Sequence, residues 1–325
     1  MLMNKFWLSW ITAAALAAAA VTVVEIRPAL ETEPLVQDVD DPAIWVHPKD
    51  PARSIIVGTV KRPRPDGALA VYTLDGKLVE TVGDLDRANN VDILGDICVA
   101  TERLQRRLLV YRVSETRPHL QLIGTVPVFE GEQGEAGAPM GLALYRRKRD
   151  KALFAVVSRK TGPAEGYLWQ YQLQIRGNKV IGRKARAFGA FSGQGEIEAV
   201  AVDPERELVF YSDEDCCVLI YPADPDHPQA ARPIARFAEQ GFKGNREGIA
   251  AAGPYVIVTD QLDPHSEYHV YRRSDWQPVA VWRGTAQSTD GIEAVARPMG
   301  PRFPRGLLVA MNNASHNFHL YAWPD

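Results

Sequence analysis

Six tyrosines, Tyr72, Tyr111, Tyr171, Tyr221, Tyr271 and Tyr321, each close the same kind of unit, and the last four stand 50 residues apart. Each unit opens on an acidic or polar residue and runs through an apolar strand, a turn, a second apolar strand, a polar turn and a third strand that ends in the tyrosine. EAVAVDPERELVFYSDEDCCVLIY and EGIAAAGPYVIVTDQLDPHSEYHVY are two of the six. A unit of this length cannot bury both of its faces alone, so its neighbours must cover it, which points to a solenoid or a ring of blades. Stretches at 78–82, 180–188, 234–237 and 279–282 are suited to a fourth, outer strand. The pattern predicts an all-β, six-bladed β-propeller with four-stranded blades. An extended segment at 33–38 is expected to pair with the last blade and close the ring, so that no long sheet edge is exposed.

The propeller occupies 25–325 as one domain, which the 46% hydrophobic content of the 325-residue chain is ample to fill. Residues 1–24 lie outside the repeat. They carry one lysine and then an apolar, alanine-rich run, the layout of a secretory signal peptide with cleavage near 18–21. The run is also about long enough to remain as an uncleaved membrane anchor. A secreted or periplasmic destination follows in the first case, and membrane attachment only in the second. With 37 basic against 40 acidic residues, no excess charge calls for nucleic acid or a membrane surface as partner. Cys98, Cys216 and Cys217 are too few for a disulfide framework. Alternation along a strand would send the vicinal pair to opposite faces, so all three read as structural.

In a propeller the innermost strands line a central channel, which brings together the residues that open each repeat: Asp41, Asn90, Met140, Glu198, Glu247 and Asp290. Four carboxylates around one axis raise one another's pKa unless a cation intervenes, and a hard divalent cation bound through oxygen suits them. The turns after the second strands open on the same side. They carry Lys61-Arg62, Arg103, Lys160, Asp213-Glu214-Asp215, Gln261 and Asn312-Asn313. Cations of the first three blades thus face carboxylates of the later ones, an arrangement fit for a phosphorylated substrate bridged by metal. Taken singly, each of these charges would read as an ordinary solvated turn residue.

Several stretches then resemble one family, the β-propeller phytases: ETEP, DDPAIWVHPKDP, LAVYTLDGK, NNVDI, KARAF, the SDED turn, REGI, TDGIE, GPRFPRGLLVA and the ending with Asn317-Phe318, Tyr321 and Trp323, in this order from 31 to 323. The resemblance implies a calcium-dependent phosphomonoesterase acting on phytate or related inositol phosphates, in which channel calcium binds substrate phosphate and activates water for in-line attack. Carried over by position, it implies metal ligands Asp41, Glu198, Asp213, Glu214, Glu247 and Asp290. It implies phosphate-binding Lys61, Arg62, Arg103 and Lys160, with Lys160, Glu198 and Asp290 as the catalytic set, and a monomer whose partner is the substrate's calcium complex. No nucleophile motif is required, and none such as GxSxG is present. His47, His316 and His319 fall in strand patterns and read as packing or surface residues.

The sequence departs from the family's pattern at Met140, where a tyrosine is usual, at Asn245 for aspartate, around Gly284, Gln287 and Ser288, at Asn312-Asn313, and in the inserted PRPDG. Most of these changes remove an oxygen ligand, so fewer or weaker calcium ions are expected. Two other functions remain open at this point. A non-catalytic propeller would keep the fold and bind a ligand or protein. A single-metal lactonase or esterase would use Asn90, Glu198 and Asp290 but has little use for Lys61, Arg103 and Lys160.

Overall fold

The computed structural model describes residues 21–36 and 38–324. Six sheets surround one channel, and their innermost strands are Val39–Trp45, Ala88–Leu94, Pro139–Arg146, Val200–Asp203, Asn245–Ala252 and Ile292–Val295. Each sheet is an antiparallel meander outward from that strand; the fourth blade, for example, runs Val200–Asp203, Leu208–Asp213, Cys217–Pro222, Ala235–Phe237. The expected outer strands are present as Leu78–Leu85, Lys179–Ala190, Ala235–Phe237 and Pro278–Arg283. The second blade has one as well, Leu120–Pro127, which the sequence reading passed over.

The blades adhere through six buried apolar clusters, each filled from two neighbouring sheets. All six closing tyrosines are buried in them. A buried phenol needs a partner for its polar tip, and three of the tips hold the chain on its way to the next blade. The Phe129 amide donates to Tyr171 at 2.7 Å, the Ala190 amide to Tyr221 at 3.1 Å and the Thr285 amide to Tyr321 at 3.0 Å. At these three positions the tyrosine is both core and clasp, whereas Tyr72, whose buried hydroxyl has no hydrogen-bond partner among the described residues, serves as core.

The last blade has only three strands from its own repeat, and Leu30–Glu31 supplies the fourth by pairing antiparallel with Asn317–Ala322. The closing segment thus begins a few residues earlier than 33–38, although the Glu33 and Leu35 amides continue the docking onto Gly76 and His316. The predicted leader lies outside the described residues except at its end. There Thr22–Glu25, a β-branched run, lies parallel along Pro278–Arg283 of the fifth blade. Among the described residues no helix is long and apolar enough to cross a membrane.

The cysteines correct one expectation. Cys216 lies in the turn and only Cys217 enters the strand, so alternation does not apply and the two free thiols meet with their sulfurs 2.6 Å apart.

Candidate active site

The innermost strand of a blade starts at the same rim as the turn between its second and third strands, because the first two strands run antiparallel. At that start the pairing slips in four blades, between Val39 and Pro42, Ala88 and Val91, Pro139 and Leu142, and Arg246 and Ile249. Such a bulge re-aims the residues it contains. Here it turns Asp40-Asp41, Asn90 and Glu247 toward a central cavity of about 220 Å³, which Glu198 and Asp290 also line, while Asn89 is buried behind it.

On one side of the rim, Lys61 donates to Asp40 and, at 3.2 Å, to Asp290 Oδ2, while Gln261 donates to Asp290 Oδ1. Asn89 Nδ2 bridges Asp40 Oδ2 at 3.3 Å and Glu198 Oε1 at 2.7 Å. On the other side, Glu196, Glu198 and Glu214 offer oxygens that all lie within 4.8 Å of one another. Lys160 donates to Glu196, whose other oxygen is buried without a partner. Arg103 stands beside, 3.7 Å from Glu135.

The electrostatics follow from this crowding. Burial pushes the Asp40 carboxyl well above its ordinary range; Lys61 pulls it back, and Glu198 and Asp290 add to the rise. Burial, with Glu198 next, lifts Glu214 to about 7. Glu247 is raised by burial and then by Glu214, Glu198 and Asp290. For Lys61 burial acts to lower the ammonium, but Asp40, Glu198 and Asp290 outweigh it and hold the proton on. Lys160 is lowered, by burial and then by Arg103, and Arg103 by burial and then by Arg87. Two cations that repel each other and several carboxyls that resist ionisation are poised for an anion and a cation to enter together.

The sequence-derived residues take different places within this site. Glu198, Glu214, Glu247 and Asp290 converge on the channel mouth with Lys61, Lys160 and Arg103. Asp41 lines the channel too, but its Oδ2 accepts the Val91 amide of the next blade at 2.9 Å. Asp92 repeats that link one blade on, to the Leu144 amide at 2.6 Å. Asp213 is buried and accepts from the Ser192 amide at 2.7 Å and hydroxyl at 2.8 Å, which fixes the loop before Glu196. Arg62 is exposed beside Lys61, and Met140 is buried.

Sequence reasoning missed Asp40, Asn89 and Glu196. For Glu196 the signal was available: GEIEAV places two glutamates two apart, and residues two apart share a face in extended chain. For Asp40 and Asn89 it was not, since the bulge decides which groups each of two adjacent polar residues meets.

The donor set suits a hard cation. It is oxygen-rich, negatively charged and flexible in number, with carboxyls held above their ordinary range and a buried Glu196 oxygen left unpaired.

Comparisons with known proteins bear on the family and the fold. Over 333 residues the chain is 26% identical to the 3-phytase of Bacillus subtilis (strain 168), covering 90% of this chain and 82% of that one. Among solved structures, the WD40 repeats of RRP9 share the fold at a TM-score of 0.51 and 12% identity, over 89% of this chain and 81% of that one. The computationally designed Ika8 protein aligns over 88% of this chain and 71% of that one, at 15% identity and a TM-score of 0.46. A sequence model of the Phytase family matches residues 2–319, and the chain belongs to that family.

Proposed function

We propose that this phytase-family chain removes phosphate from phytate, or from related inositol phosphates, in a calcium-dependent reaction at the channel mouth. The observation that carries the reading is the split rim: Lys160 and Arg103 face a group of carboxyls that no protein cation fully neutralises. Asp40, Glu196, Glu198, Glu214, Glu247 and Asp290 would hold calcium, with Asp41 and Asp213 bracing the backbone around them. When bound there, calcium supplies charge that polarises the phosphoryl group and orients water toward phosphorus.

The chain's own residues do the rest. Lys160 and Arg103 exchange their present partners, Glu196 and Glu135, for phosphate oxygens, and Arg62 adds charge from the exposed side of the rim. Lys61 keeps Asp40 and Asp290 from repelling each other and presents its remaining donor capacity to the substrate. Asn89 and Gln261 fix the rotamers of Glu198 and Asp290, so the ligand oxygens are positioned before substrate arrives. The single-metal alternative would leave Lys160 and Arg103 without a task. Export through the N-terminal segment and a monomeric state complete the reading.

The test is phosphate release from phytate, measured with calcium and again after chelation. Release that depends on calcium supports the proposal. No release at any calcium concentration would favour a propeller that binds without catalysis.

A further inference from the structure

Away from the channel, the fifth blade holds a second cluster of ligating side chains. Asp260 is the penultimate residue of the strand Tyr255–Gln261 and stands directly opposite Glu267, the first residue of Glu267–Arg272. His269 lies two residues beyond Glu267 and so on the same face. All three are buried, and a nitrogen of His269 and one oxygen from each carboxylate lie within 4.8 Å of one another.

Like charges placed directly opposite on neighbouring strands repel, so something must compensate this pair. For Glu267 there are two cations: Arg283 donates at 2.6 and 2.9 Å, and Lys243 Nζ at 3.0 Å to each oxygen. Asp260 accepts the Lys243 and Gly244 amides at 2.9 and 2.7 Å. His269 is left out. Its Nε2 is buried without a hydrogen-bond partner and faces Asp260 Oδ2 at 3.7 Å, too far to bond. With the residue only 8% exposed, this orphaned nitrogen facing Asp260, in a cluster that also holds Glu267, has the geometry of a cation ligand.

We propose that Asp260, Glu267 and His269 form a binding site for a borderline divalent transition ion, zinc above all, separate from the channel. Imidazole with two carboxylates is a zinc-type donor set, whereas calcium takes oxygen alone. Lys243 is the removable counter-charge. Its side chain is 62% exposed, so it can turn to solvent when the ion enters, while Arg283 stays on Glu267 as the outer partner that orients the ligand. Phe242 stacks on the His269 ring at 4.1 Å and fixes its plane. Since Lys243 and Gly244 also hold Asp260, the ion would fasten the loop entering the fifth blade to that blade's second and third strands.

The experiment uses the purified chain, stripped with chelator and returned to excess calcium so that the channel acids are occupied. Zinc is then added and the unbound metal removed. The expected result is a single zinc retained per chain, an imidazole in its X-ray absorption spectrum and a higher melting temperature. His269→Asn should weaken zinc binding by at least about tenfold, the least that losing even an outer partner of a metal site costs, and leave calcium-dependent phosphate release unchanged. Glu267→Gln serves as the second variant if the first fails to fold. Failure of the chain to retain zinc in calcium would overturn the site, as would retention and an imidazole signal undiminished in whichever variant folds. Because zinc is read directly, the outcome does not depend on whether the channel hydrolyses phytate.

Discussion

Adjacent aspartates divide the labour at the channel mouth. Asp40 is fully buried and faces Lys61 and Asn89, whereas Asp41 gives an oxygen to the Val91 amide of the next blade. Asp40→Asn should therefore lower calcium affinity more than Asp41→Asn, in calorimetric titration of the two variants. Asp41→Ala should instead cost roughly 1–3 kcal/mol of stability by leaving a buried amide without its acceptor, read from denaturant unfolding. Equal calcium affinities for the two Asn variants would contradict this assignment. The sequence shows that an acidic pair opens the repeat but not which member meets Lys61 and which the amide of the next blade, because a bulge rather than simple alternation sets the direction. Glu198, Glu247 and Asp290 were legible for the opposite reason: each opens its repeat with no acidic residue directly beside it. Asp260, Glu267 and His269 form no motif, and only the pairing of two strands brings them together.

At the scale of the element, inner strands pack so closely at the rim that glycine is required between them. A Cβ on Gly141 would overlap the Glu198 carbonyl oxygen, a backbone atom that cannot rotate away. Gly141→Ala should displace Glu198 and lower both melting temperature and calcium affinity, although residue 141 carries no charge. Calorimetry and a calcium titration check this, and an unchanged calcium affinity would show that Glu198 is held by something other than strand contact. The blades themselves were legible from the tyrosines, whose spacing carries through core and clasp alike. The second blade's outer strand, Leu120–Pro127, was not, since it presents exposed residues such as Leu122 and a break in register at Gly124.

For the whole molecule, the channel stores like charge across the ring, and this gives stability a pH dependence of defined sign. In the metal-free protein Glu214 is raised from 4.5 to about 7, chiefly by burial, and Asp40 and Glu247 move the same way. A raised carboxyl favours the fold while protonated. Its contribution is full below 4.5 and is lost as pH climbs to about 7. The melting temperature of chelated protein should fall across that window, and Glu214→Gln should flatten the slope. Calcium should restore stability most at the upper end, where the ligands are deprotonated. Identical slopes for the two proteins would mean that the channel does not control the response. In the proposed division of the rim, cations of the early blades hold phosphate while carboxylates, most of them from the later blades, hold metal, and phosphate release from phytate across a calcium titration is the sharpest check. Lys160→Met and Arg103→Ala should each lose at least about tenfold in rate, of order 2 kcal/mol, with the calcium midpoint unmoved, whereas Glu198→Gln should shift that midpoint upward and lower the rate with it. Wild-type rates in all three folded variants would contradict the account.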